Sequence, residues 1–148
     1  MSISPLEHLK SIRDSLVAEQ LHEVAVPGWE HPVPLKLRIK PVDHGTFRRI
    51  MAVVQRAPKN QAAEAELNAN AAVVGSAIVK VLIGDGDGQA EVSWEDLRPS
   101  LELSETATVG QVVRAVCLRD GDVIALAEAV MKHSGYSATA ADEMYAGE

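Results

Sequence analysis

The sequence predicts an α+β fold that is mainly α: a short antiparallel β-hairpin followed by a small helical bundle. Three observations carry that prediction. Apolar residues recur at helical spacing in several separate stretches, beginning with Leu6, Leu9, Ile12, Leu16 and Val17. Between residues 23 and 42 the period changes to two, and a Pro-Gly pair interrupts it. The composition is 47% hydrophobic but only 3% aromatic, and small aliphatic side chains suit closely packed helices. A length of 148 residues fits a single domain. Its parts are an N-terminal helix (1–22), a hairpin (23–42) and a helical region (43–148) with a short turn and strand at 84–94.

Each element has a local reason. Ser4 and Pro5 mark the start of the first helix. Val24 and Val26 then alternate with charged or small neighbours as far as the loop PGWEHP at 27–32. From Leu35 the alternation is strict, with Leu35, Leu37 and Ile39 on one face and Lys36, Arg38 and Lys40 on the other. The second strand therefore carries a basic outer face. Pro32, Pro34 and Pro41 point to an edge position, because proline offers a sheet no N–H.

Asp43 is placed to cap a helix running to about Arg56, with Phe47, Ile50, Met51 and Val54 on its apolar side. APKN at 57–60 breaks it. One long helix is then predicted from Gln61 to Ile83, with Glu64 and Glu66 near its positive end and Gly84 as its stop. A turn and the short strand AEVSW follow. Helices are predicted at 108–118 and 122–133, the second ended by Ser134-Gly135, and a third from Thr139 with Asp142 at capping-box distance.

Charge and cysteine content exclude several functions. The net charge is −7, but residues 1–60 hold nine Lys or Arg against six Asp or Glu, and residues 61–148 hold five against fifteen. An acidic chain lacks the dense cations that phosphate contacts need, so no nucleic-acid partner is expected. The contrast between the halves is suited to self-association or to a basic partner. The single Cys117 rules out an internal disulfide and argues against a cysteine zinc site. The N-terminus lacks the uninterrupted apolar segment of a signal peptide. The longest apolar run, 71–83, is interrupted by Gly75, Ser76 and Lys80 and is too short to span a bilayer. A soluble cytosolic chain without a membrane partner is expected.

Local chemistry is sparse. IGDGDGQAEVSW (83–94) opens like a calcium loop, with Asp85, Asp87 and Asp96 as candidate metal ligands. With Asp85 at position 1, however, Ala90 stands where the sharp turn needs glycine, and the short Asp96 stands where a bidentate glutamate belongs. A Gly/Asp turn is the better reading. The five histidines have no i, i+4 spacing, and no nucleophile elbow or phosphate loop is present. No catalysis and no cofactor are expected.

Two features point to partner binding. Trp29 either covers the open end of the hairpin or stands exposed as an anchor. Lys36, Arg38 and Lys40 are either a solvated face or a complement to an acidic surface, and an edge strand beside Trp29 would be a template for strand addition.

The order of these features resembles the tail assembly chaperones of long-tailed bacteriophages. The residues concerned are EVAVPGWEHPVPLKLRIKPVDHGTFRRI (23–50), AAVVGSAIVKVLIGDGDG (71–88) and LAEAVMKHSGYSATAADEMYAGE (126–148). Where related chains often carry a tryptophan, serine, glycine pattern, this one has His133-Ser134-Gly135, a departure. The resemblance implies a non-enzymatic assembly factor in the host cytoplasm that stays out of the mature virion. It would bind the tape measure protein, keep it soluble and recruit tail tube subunits, and a longer frameshifted product is typical of the family. The alternatives are a head–tail joining or tail-completion protein and a small calcium-binding regulator.

Overall fold

The computed structural model describes residues 4–30 and 33–135, with the side chains of 17 and 18 outside that description. Among these residues the order is α1 (Pro5–Glu19), β1 (His22–Ala25), β2 (Leu35–Ile39), α2 (His44–Arg56), α3 (Ala62–Ala77), β3 (Ile78–Ile83), β4 (Ala90–Val92), α4 (Leu97–Ser100), α5 (Val109–Val116) and α6 (Asp120–His133). The fold is α+β and mainly α. The helix expected from Thr139, and Pro32 of the hairpin loop, lie outside the described residues.

The sheet is larger than the predicted hairpin. Its four strands run antiparallel in the order β1-β2-β3-β4. The predicted helix from Gln61 to Ile83 is corrected: it ends at Ala77, and Ile78–Ile83 forms a strand directly after it. Ile78, Val79, Val81 and Ile83 are β-branched and stiff at χ1, so they lose little by becoming extended. Pairing with β2 on one side and β4 on the other then satisfies their backbone groups. A bulge where Arg38 pairs with Lys80 and Ile39 with Ile78 leaves Val79 outside the ladder and exposed.

The edge position expected for Leu35–Ile39 is likewise corrected, since β2 lies between β1 and β3. Pro34 and Pro41 bracket the strand without interrupting it, and Pro34 supplies a carbonyl to Gly84 N–H at 2.9 Å. Strict alternation survives: Leu35, Leu37 and Ile39 are buried, Lys36 and Arg38 half-buried. The buried row joins Val81 and the inner faces of α2, α3, α5 and α6 in one core cluster. The sheet's other face carries Lys36, Arg38, Lys80 and Glu91 around a fully buried Leu82.

Helix starts follow the sequence closely. Asp43 accepts the Thr46 N–H at 2.9 Å as the cap of α2, and these Thr46 hydrogen bonds hold its carboxyl below the usual range. Thr108 and Gln111 form a reciprocal capping box at α5. Two glycines set the approach of α5 to α3. A Cβ on Gly75 would lie 2.5 Å from a Val109 methyl, and one on Gly110 would lie 3.6 Å from the Ala72 nitrogen.

Candidate functional site

The Asp85/Asp87 segment is a hairpin turn between β3 and β4 instead of the predicted helix exit. Gly84 at φ +88 and Gly86 at φ +57 take the left-handed conformations that the turn requires. Asp85 and Asp87 are exposed, while Asp96 accepts the Ser93 N–H in a capping box of its own. The three carboxylates are thus not gathered. Among the described residues no group of three or more His, Cys, Asp or Glu side chains is placed to hold a metal ion, and no helix is long and apolar enough to cross a membrane.

Cys117 is buried at the end of α5. Burial pushes its thiol up to about 11, and the neighbouring negative charge of Asp122 adds to the effect. Asp122 is itself buried and held by Arg119 at 3.1 Å. Such a thiol holds few thiolate ions near neutral pH. Alkylation by iodoacetamide at pH 8, followed by mass spectrometry, is expected to run about 100-fold slower in the folded chain than for an ordinary thiol. Equal rates for folded and urea-unfolded chain would show this account to be wrong.

Trp29 turns inward. Its indole N–H donates to the carbonyl of Val116 at 2.8 Å, and its ring packs against the core. Val116 closes α5, so the indole serves one of the four carbonyls that a helix end leaves without an internal partner. Gly28, at φ +86, lies close beneath the Leu118 side chain, fixing the loop against the same helix end.

The basic stripe is broken up. Arg38 pairs with Glu91 of β4 at 2.8 Å, Lys36 is half-buried in a central strand, and Lys40 is exposed beyond the strand end. The described residues do not bring Trp29 and these three cations into one recognition surface. Strand addition is available only at the outer strands, β1 and β4.

Two surfaces that sequence reasoning did not single out stand in their place. The first is α1, which makes only glancing contact with the other elements. Leu6, Leu9, Ile12 and Leu16 are 78%, 63%, 43% and 51% exposed. Their spacing puts them on one stripe about 15 Å long at 1.5 Å per residue, with Lys10 and Arg13 one turn on from Leu6 and Leu9. The helix is tied down at its end, where the His133 ring meets the Gln20 carbonyl and stacks on His22 at 5.1 Å. The amphipathic pattern was visible in the sequence, but nothing in it said that the apolar side would lack a partner.

The second surface is an open groove of about 890 Å³ between α2 and α3. Ile50, Val53, Ala65, Ala69 and Ala72 line it, and Arg49 and Arg56 stand on its α2 side. Glu64, on the α3 side, is engaged by Arg114. The sequence signal was weak: an apolar face on α2, and an alanine-rich start to α3.

Comparison with family models, with curated proteins and with solved structures finds no match to this chain.

Proposed function

We propose that this chain is a non-enzymatic tail assembly chaperone of a long-tailed bacteriophage, binding the tape measure protein in the host cytoplasm and recruiting tail tube subunits around it. The observation that carries the reading is the exposed apolar stripe of α1. A row of four large aliphatic side chains on a projecting helix is costly to leave in water and marks a protein-binding surface. A stripe of this kind matches the helix-in-groove or helix-on-helix recognition through which an apolar helical client is kept from aggregating.

The test is co-expression with the long helical protein encoded downstream. The native chain is expected to keep that protein soluble and to co-purify with it. Leu9→Asp combined with Leu16→Asp is expected to cut the recovered client at least tenfold. Because both side chains are exposed, the melting temperature should stay within about 2 °C of the native value. Undiminished recovery with the double variant would remove α1 from the interface. Finding the chain at stoichiometric copy number in purified particles would favour a joining or completion protein instead.

A further inference from the structure

We infer that His22 and His133 form a proton-sensitive latch on α1, closed while at most one of the two rings is charged and loosened when both are. The inference concerns the chain by itself and does not rest on the client assigned to α1.

The latch acts at the root of a projecting helix. α1 makes only glancing contact with the other elements, and Leu6, Leu9 and Ile12 stand in water. Its direction is therefore set where it joins the sheet, across Gln20 and Leu21, before β1 opens at His22. The end of α6 closes on that junction. His133 is the last residue of α6, and its Nε2 meets the Gln20 carbonyl. The same ring stacks on His22, with 5.1 Å between centroids and 21° between planes. α6 is itself anchored: Val130 and Met131 are buried in the core, and Ser134 accepts the Val42 N–H at 2.8 Å. A fixed element thus holds both the residue that follows α1 and the residue that opens β1.

Protons act differently on the two contacts. The Gln20 carbonyl can only accept, so Nε2 must carry a hydrogen, as it does in one neutral tautomer and in the imidazolium. The end of α6 also favours a positive ring, because the last carbonyls of a helix carry partial negative charge. A first proton on His133 therefore leaves the latch closed, and a charged ring still stacks well on a neutral one. A second proton, on His22, sets like charges about 5 Å apart, and they repel. His22 is exposed on an edge strand, so its ring can swing away into water. The stack is then lost, and only the Gln20 contact remains.

The surrounding charges do not offset that repulsion. They are Arg13 and Glu19 of α1, Glu23 of β1, Lys40 beyond β2, Asp43 at the α2 cap and Lys132 beside His133. Arg13, Lys40 and Asp43 line one depression with Gln20. Cations and carboxylates are equal in number here, so the repulsion within the pair sets the sign.

The experiment is 15N relaxation on the full chain between about pH 8 and about pH 5, the range in which histidine changes charge. The amides of α1 are expected to tumble with the body near pH 8 and about twofold faster near pH 5. The histidine ring shifts report the protonation steps, and the amides of α3 and α5 report that the body stays folded. His22→Phe keeps a stacking ring without a charge and should hold α1 at both ends of the range. His22→Ala removes the stack and should leave α1 mobile throughout. Native α1 motion that does not change with pH overturns the inference. A change that persists in His22→Phe assigns the effect to other groups and overturns the latch. An α1 that stays held in His22→Ala overturns the role given to the stack.

Discussion

Replacing Trp29 with alanine is expected to cost about 2–4 kcal/mol of folding stability, somewhat below the usual figure for a fully buried tryptophan because the ring is only half-buried. Two losses add. The ring leaves a void against the core beneath the hairpin loop, and the Val116 carbonyl at the end of α5 loses the indole N–H that serves it at 2.8 Å. Trp29→Phe separates the two, since it keeps most of the packing and removes only the donor. About 1–2 kcal/mol should be lost in that variant. Urea unfolding followed through Trp94, the other tryptophan, measures both. If Trp29→Ala instead left the midpoint unchanged and abolished partner binding, the residue would be a recognition anchor and not a strut between the hairpin and α5.

Gly75→Ala is expected to destabilise by about 1–3 kcal/mol, although alanine normally favours a helix over glycine by about 1 kcal/mol. The added Cβ would lie 2.5 Å and 2.9 Å from the two methyls of Val109 and 3.2 Å from its Cβ. Valine is stiff at χ1, so its methyls cannot simply swing aside, and α5 must move away from α3. Combining Gly75→Ala with Val109→Ala removes both methyls and should recover most of the loss. A double-mutant cycle read by thermal unfolding therefore predicts a coupling of about 1 kcal/mol or more. Additive effects would show that the helices tolerate the extra methyl by some other movement.

Legibility differed sharply between neighbouring residues of one chain. Asp43 and Thr108 were read as helix starts, and both are, because a cap depends on residues within one turn. The alternation of Leu35, Leu37 and Ile39 was read as a buried face, and it is one. The strand's place in the sheet was not readable. Pro34 and Pro41 suggested an edge, yet they stand just outside the paired residues, where their missing N–H costs nothing. The stretch IVKVLI has an apolar content that suits a helix or a strand equally. Only the presence of β2 and β4 on either side decided for the strand.

The candidate surfaces followed the same division. Trp29 was noticed because a tryptophan in a proline-glycine loop is unusual, but whether it faced a partner or Val116 depended on α5, 87 residues away. Lys36 and Arg38 were correctly placed on one strand face and Lys40 falls just beyond the strand, while the Glu91 that pairs with Arg38 comes from a strand the sequence did not connect to them.

By itself the sequence determined what is local: most of the helical and extended periods, the caps and the Gly/Asp turn. These depend on interactions within a few residues, whose energies do not change with what the rest of the chain does. The tertiary structure alone decided the strand order, the inward direction of Trp29, the exposure of the α1 stripe and the groove between α2 and α3. Each of these is set by which distant surfaces meet, and an apolar stripe looks the same in sequence whether the fold buries it or leaves it for a partner.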